Sequence, residues 1–192
     1  MQSNLESYKI LGVDPGTNIL GYAILEITGK QVKILTFGVI KLFKEEDQAQ
    51  KLKEIFLQVQ EIIESYLPSY LAIEAPFYGK NVQSMLKLGR AQGVAIAAGI
   101  TMGLEVSEYS PKRIKQAITG NGNASKEQVS AMLEHILKVK IQAEYNDATD
   151  ALATAYCHFN QIGSGVGPKG KVSGWKAFMT ANPGRVKKAG PK

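Results

Sequence analysis

The pattern of apolar residues predicts three strands at the start of the chain. Ile10, Leu11 and Val13 form an almost unbroken apolar run that ends at Asp14 and a Pro-Gly pair. Such a run is typical of a buried strand that leaves the core in a tight turn. Two further apolar segments, residues 20–27 and 31–42, are separated only by a Thr-Gly-Lys turn. Strands joined by short turns pair antiparallel, so we expect a three-stranded meander.

Apolar residues recur at helical spacing through much of the remaining chain. Together with the capping signals Ser110-Pro111 and Ser125-x-x-Gln128, this periodicity predicts five helices. They cover residues 45–67, 81–103, a segment from 111, 125–138 and 144–161. Apolar runs at 70–75 and 105–109 predict two more strands. Because a strand–helix–strand connection favours parallel pairing, the order predicts an α/β protein with a five-stranded mixed sheet and helices on both faces.

Composition places this sheet in a single domain with a separate tail. The chain has 192 residues, and Cys157 is its only cysteine, which excludes an internal disulfide and a cysteine-based zinc site. No apolar run reaches the roughly 18 residues of a spanning helix, and we expect a soluble cytoplasmic protein. Residues 161–192 hold seven basic and no acidic residues, whereas residues 1–160 carry a net charge of −1. We therefore predict a folded domain at 1–162 and a disordered basic tail at 163–192 that can meet nucleic acid.

Four carboxylates fall where this fold would gather them. Asp14 and Glu74 end two predicted strands, and Asp147 and Asp150 lie three apart on the last helix, so they share one of its faces. Asp14 alone could be a turn former, and the two helical aspartates could merely complement the helix dipole. The full set is better explained as a magnesium site, because Mg²⁺ prefers oxygen ligands and needs no histidine or cysteine. Two such ions about 4 Å apart can hold both the attacking and the leaving oxygen of a phosphodiester.

Four blocks of the chain resemble a known family. GVDPGTNILGYAI, AIEAPFYGKNVQSMLKLGRAQGVAI, EYSPKRIKQAITGNG and NDATDALATAYCH occur in this order between about residues 10 and 158. They resemble the RuvC family of crossover (Holliday) junction endodeoxyribonucleases. The resemblance implies a ribonuclease H-like fold, a homodimer, and symmetric Mg²⁺-dependent nicking of four-way junctions, with two ions per site that Mn²⁺ can replace. It also implies that Asp14, Glu74, Asp147 and Asp150 are the catalytic metal ligands, and that a branch-migration motor is a partner.

Residues around the acidic set are candidates for DNA contact. Basic side chains outnumber acidic ones between residues 80 and 126, although any one of them could simply be solvated. The candidate phosphate contacts are Lys80, Arg90, Lys112, Arg113, Lys115 and Lys126, of which the last two fall in blocks where the family carries functional lysines. Phe77, with Tyr78 beside it, could stack on an unpaired base or could plug the end of the sheet. His135, His158 and Cys157 are interpreted as structural, and Trp175 in the tail is given no role.

The long helix over 81–103 carries a small-residue face formed by Gly89, Gly93 and Ala97. That face could pack on the sheet or on a second copy of the chain, and we predict a homodimer through it.

Other functions fit the sequence less well than a junction nuclease does. A ribonuclease H-like nuclease of ribosomal RNA maturation shares the DPGT start, and a sugar-kinase or actin-like ATPase would need a second domain for which there is no room. A non-catalytic junction-binding protein is disfavoured by the intact acidic set.

Overall fold

A computed structural model describes residues 7–42, 47–76, 81–141 and 146–163 of the chain. Within these ranges five strands and five helices follow one another in the predicted order. The strands are β1 (Ser7–Asp14), β2 (Ile19–Thr28), β3 (Gln31–Lys41), β4 (Tyr70–Glu74) and β5 (Glu105–Tyr109). The helices are α1 (Gln48–Tyr66), α2 (Val82–Thr101), α3 (Pro111–Thr119), α4 (Lys126–Leu137) and α5 (Asn146–Gly163).

All five strands join in one mixed sheet with the order β3-β2-β1-β4-β5. The first three strands form the predicted antiparallel meander, and Asp14 pairs directly with Gly21 across the β1–β2 ladder. The β1–β4 and β4–β5 pairs are parallel. The predicted crossover is therefore confirmed, and β1 lies in the middle of the sheet with β4 at its side.

Helices cover both faces of the sheet, as the sequence predicts. On one face α1 and α2 pack on Leu11, Val13 and Leu71, all of which are fully buried. On the other face α5 packs through Ala151 and Ala155. Helices α3 and α4 bury a separate apolar cluster against the outer side of α5. Because strand side chains point alternately to opposite faces, the nearly continuous apolar run of β1 serves both layers.

Local sequence signals set several helix ends. The Ser110 hydroxyl accepts a hydrogen bond from the Arg113 amide at the start of α3, and Ser125 and Gln128 form a complete capping box at the start of α4. Helix α1 ends at Leu67, which adopts a left-handed conformation with φ 51°, directly before Pro68. The predicted helix bounds are correct to within a few residues, which is the range over which helix ends fray.

Backbone contacts divide the chain into one unit at Met1–Asn160 and another at Gln161–Lys192. All five strands belong to the first unit. The predicted tail from residue 164 on lies outside the described residues. None of the helices described is long and apolar enough to cross a membrane.

Candidate active site

Asp14 and Glu74 stand side by side at one edge of the sheet. Val13 on β1 and Ile73 on β4 are partners in the parallel ladder, and each is followed at once by its carboxylate. Parallel strands bring their carboxyl ends to the same edge, so both side chains leave the sheet at the same point. Two acidic residues 60 positions apart are thereby brought together by the β1–β4 pairing.

Helix α5 brings Asp147 and Asp150 to the same edge in its first two turns. Both aspartates are partly buried, and the helix is held on the sheet by Ala151 and Leu152, which are fully buried. The three-residue spacing keeps the two carboxylates on one helix face. All four predicted acidic residues therefore come within electrostatic reach of one another.

The electrostatic environment shows how closely the carboxylates are gathered. Burial, together with the charges of Glu74, Asp150 and Asp147, raises the pKa of Asp14 to about 8, while Lys126 acts in the opposite direction. Burial also raises the pKa of Glu74 to about 7, with Asp150 as the main neighbouring charge. A carboxylate in such a place is costly to ionise unless a cation compensates it.

Lys126 supplies one compensating charge. Its ammonium nitrogen lies 2.6 Å from Oδ2 of Asp150, although 64% of the lysine side chain is exposed. This charge-assisted hydrogen bond raises the pKa of Lys126. In the described part of the chain, no three His, Cys, Asp or Glu side chains are arranged so that they could hold a metal ion as they stand. The acidic set is gathered, but Asp150 is engaged by a lysine.

A cavity of about 320 Å³ is lined by two of the four carboxylates, Glu74 and Asp150. Its lining combines apolar side chains with two carboxylates and two lysines, so an anionic ligand that enters it would meet both lysines next to the acidic set. The lining residues are Glu74, Pro111, Ile114, Lys115, Lys126, Val129, Asp150 and Ala153. The two lysines that sequence analysis singled out, Lys115 and Lys126, therefore both lie beside the acidic set.

Of the other predicted DNA contacts, three lie on described helices. Lys112 and Arg113 are exposed in the first turn of α3, and Arg90 is exposed on α2. Phe77, Tyr78, Lys80 and Trp175 lie outside the described residues.

The small-residue face of α2 is turned away from the sheet. Gly89, Gly93 and Ala97 are exposed, and a side chain added at either glycine would meet nothing within 4 Å. Instead, the buried face of α2 that packs in the core is formed by Ala91, Gln92, Ala95, Ala98 and Gly99. Of the two uses considered for this face, packing on the sheet is therefore wrong.

Sequence reasoning missed two features of the site. It placed Lys126 near the reacting strand but not in an ion pair with Asp150, because the two residues are 24 positions apart and no local signal links them. It also gave no role to Gly12 and Gly21, which contact the backbone of α5. A glycine inside a strand pattern often marks the close approach of another backbone, and this signal could have been used.

The strand order, with carboxylates at the ends of two central strands and on a covering helix, defines the class of ribonuclease H-like nucleases. A family model described as crossover junction endodeoxyribonuclease RuvC matches residues 10–158. The chain belongs to the RuvC family, whose members depend on a divalent metal ion.

Individual relatives agree with this assignment. The crossover junction endodeoxyribonuclease RuvC of Bacteroides fragilis is 55% identical over 180 residues, which is 93% of this chain and 95% of the relative. That of Cytophaga hutchinsonii is 55% identical over 178 residues, or 93% and 88% of the two chains. The structure of Thermus thermophilus RuvC in complex with Holliday junction substrate is 30% identical and superposes with a TM-score of 0.77. The superposition covers 82% of this chain and 96% of the Thermus thermophilus chain.

Proposed function

We propose that this protein is a structure-specific endonuclease that resolves four-way DNA junctions in recombination and repair by paired symmetric nicks. The observation that carries the proposal is the convergence of four carboxylates from β1, β4 and α5 at one sheet edge, within a chain matched by the RuvC family model. A relative of the same fold was solved with a Holliday junction. Hydrolysis would leave 5′-phosphate and 3′-hydroxyl ends that a ligase can seal.

Asp14, Glu74, Asp147 and Asp150 would hold two Mg²⁺ ions, for which Mn²⁺ could substitute. The donor set fits these ions, because all the donors are carboxylate oxygens and their mutual repulsion calls for a cation. Bound ions of this kind supply a water of lowered pKa and stabilise charge on the departing oxygen. Lys126 donates its hydrogen bond to Oδ2 of Asp150, so Oδ1 of Asp150 stays available to an ion.

Lys115 and Lys126 would bind the phosphate at the reacting bond. Both line the cavity next to Glu74 and Asp150, and a lysine binds phosphate as a point charge. When Lys126 turns from Asp150 to the phosphate it exchanges one anion for another, so its charge stays compensated. Other basic residues would contact the DNA backbone. We assign this role to Lys80, Arg90, Lys112 and Arg113, with Phe77 and Tyr78 stacking on bases opened at the junction.

Paired incisions need two active sites, and we propose a homodimer that forms through α2. The exposed side chains Val82, Leu86 and Ile100 fall on the same helix face as Gly89 and Gly93. Their spacing makes a continuous apolar stripe along α2 with small residues at its centre, where two helix backbones could approach closely. A second copy would cover this stripe. A cytoplasmic location and a branch-migration motor as partner complete the proposal.

A cleavage assay tests the function. The protein is incubated with a synthetic four-way junction, with linear duplex and with structured RNA, each with and without Mg²⁺. Selective, Mg²⁺-dependent nicking of the junction in two opposing strands is the expected result. Preference for the RNA would favour the ribosomal RNA nuclease, and tight junction binding without nicking would favour a non-catalytic protein.

Variants test the acidic set. Asp14→Asn, Glu74→Gln, Asp147→Asn and Asp150→Asn should each abolish nicking and leave junction affinity largely unchanged. Each should also lose the rise in melting temperature that Mg²⁺ gives the parent protein, because ion binding to the folded state is the source of that rise. Glu127→Gln is the matched control, since this carboxylate is fully exposed next to Lys126. Near-parent cleavage by any two of the four variants contradicts the assignment.

A further inference from the structure

Gly21 on β2 contacts the backbone of α5 at Asp147, the second residue of the helix. A Cβ built on Gly21 would lie 1.9 Å from the carbonyl oxygen of Asp147, 2.4 Å from its carbonyl carbon and 3.0 Å from the Ala148 nitrogen. All three are backbone atoms, so no side-chain rotation could make room for a larger residue. The absence of a side chain at position 21 is therefore what allows α5 to lie where it does.

Gly12 on β1 makes a second contact of the same kind. A Cβ there would lie 2.2 Å from the carbonyl oxygen of Ala151 and 2.7 Å from the Ala155 Cβ. Positions 147, 151 and 155 are four apart and lie along one face of α5. The helix backbone thus lies directly against two glycines of the sheet. Gly89 and Gly93 on α2 differ, because nothing lies within 4 Å of a Cβ built on either.

We propose that Gly21 is a positioning residue that sets the distance between Asp147 and Asp14. The β1–β2 ladder pairs Asp14 directly with Gly21, and the backbone of Asp147 rests on Gly21. Gly21 therefore links a strand carboxylate to a helix carboxylate through backbone contacts. The inference rests on the proposed role of Asp147 as a metal ligand.

Gly21→Ala should displace the first turn of α5 and leave the rest of the fold in place. To restore an ordinary contact with the Asp147 carbonyl, the helix start must move by about 1.5 Å, and a misplacement of only about 1 Å can cost on the order of 10²-fold in rate. Metal affinity should fall as well, since Asp147 and Asp150 move relative to Asp14. Junction affinity should not change, because the described basic residues proposed to contact DNA lie on α2, α3 and α4.

Gly99→Ala is the matched control. It also adds one methyl group to a buried glycine on a packed helix, but its Cβ would meet only the Leu71 side chain, at 2.6 Å, on the opposite face of the sheet. For parent, Gly21→Ala and Gly99→Ala we would measure Mn²⁺ affinity without DNA by electron paramagnetic resonance, melting temperature, junction affinity and single-turnover rate. Gly21→Ala should lose Mn²⁺ affinity and rate, whereas Gly99→Ala should at most lose melting temperature.

Replacing Asp147 by the longer glutamate distinguishes a role of Gly21 in positioning the carboxylate from a role in packing alone. Asp147→Glu should weaken Mn²⁺ binding and slow cleavage in the parent, because the added methylene misplaces the carboxylate. In the Gly21→Ala background the same change should restore part of both, because the longer side chain reaches back across the displacement. Rescue of Mn²⁺ affinity in the double variant is the expected signature of positioning.

The outcomes separate this inference from the proposed function. If Asp147→Asn cleaves at the parent rate, the acidic set itself is wrong. If Asp147→Asn is inactive but folded Gly21→Ala binds Mn²⁺ and cleaves within about threefold of the parent, only the Gly21 inference is overturned. Losses that run parallel in Gly21→Ala and Gly99→Ala with no rescue by Asp147→Glu also overturn it. Leu67→Gly should stabilise the fold, because it relieves the left-handed strain at the end of α1. If Gly21→Ala fails to fold even in combination with Leu67→Gly, the Gly21 inference is also overturned.

Discussion

At the scale of single residues, His158 is a buried imidazole outside the proposed chemistry. It is 4% exposed, and its Nδ1 lies 2.7 Å from the Tyr109 hydroxyl. The Tyr70 ring packs against it with centroids 5.1 Å apart, and its Nε2 has no hydrogen-bond partner among the described residues. Burial lowers the pKa of His158 to about 4. The folded protein therefore holds this residue neutral at the end of α5 opposite the acidic set.

This burial predicts a loss of stability in acid. Because the folded pKa of about 4 lies below the ordinary value of 6.5, the unfolded chain binds the proton more readily, and stability is lost as the pH falls through that interval. We expect the contribution to be on the order of 2 kcal/mol of unfolding free energy. Urea unfolding at pH 7 and pH 4.5 would measure it as the difference between the parent and His158→Asn.

The other histidine of the chain provides the control. His135 is exposed on α4, so His135→Asn should retain the acid dependence of the parent. The carboxyls of Asp14 and Glu74 act in the opposite direction over part of the same interval, since their raised pKa values favour protonation in the folded state. Their effect is common to all three proteins and cancels in the comparison. An equal acid dependence in parent and His158→Asn would contradict the prediction.

At the scale of elements, α2 has two apolar faces with different roles. One face is filled by Ala91, Ala95 and Ala98 against the sheet and α1. The opposite face exposes Val82, Leu86 and Ile100 to between 50% and 60% of their maximal surface. A helix that is apolar on both faces is unusual at the surface of a monomer, so the exposed face indicates an interaction surface.

Gly93→Leu tests whether that surface joins two copies. Leucine should stabilise the isolated helix by about 1 kcal/mol, because glycine is a poor helix former. The same side chain should force apart two helices that pack closely at this point, so the dimer should weaken. Sedimentation over a range of micromolar concentrations would give the dissociation constant, and thermal unfolding would give the stability.

Lys53→Leu is the corresponding control, since it adds an exposed leucine to the outer face of α1. It should leave self-association unchanged. A monomeric parent protein at micromolar concentration would refute the dimer. If Gly93→Leu only became more stable, without any change in dimerisation, the contact would have to lie elsewhere.

At the scale of the whole molecule, charge is distributed unevenly. Residues 1–160 contain 16 basic and 17 acidic residues, whereas residues 161–192 contain seven basic residues and no acidic ones. The net charge of +6 therefore comes entirely from the second unit of the chain. Such a segment neutralises phosphates regardless of sequence and adds affinity without specificity.

Deleting residues 163–192 should weaken non-specific DNA binding. Each phosphate contact that is lost should reduce the slope of log affinity against log salt by about 0.9 on duplex DNA. Cleavage of junction that is already bound should continue, because the acidic set lies in the first unit. Fluorescence anisotropy at several salt concentrations, with single-turnover cleavage beside it, measures both effects. An unchanged slope would mean that the tail serves something other than DNA.

The sequence by itself determined the elements and the identity of the acidic residues. Helical periodicity, Pro68, and the Ser110 and Ser125 caps act over a few neighbouring positions, so they can be identified without the fold. The carboxylates could be predicted because Asp14 and Glu74 end strands, and Asp147 and Asp150 lie in the first two turns of a helix. The turn lengths and the helical crossover then restricted the topology to a mixed sheet, which the structure confirms.

Only the tertiary structure decided how these residues act on one another. Pairing of β1 with β4 and packing of α5 bring the carboxylates together, and the resulting burial raises the pKa of Asp14 to about 8. The Lys126–Asp150 ion pair joins residues 24 positions apart, and the Gly21–Asp147 contact joins a strand to a distant helix. Such effects depend on distance through space and on exclusion of water, which local patterns in the chain do not encode.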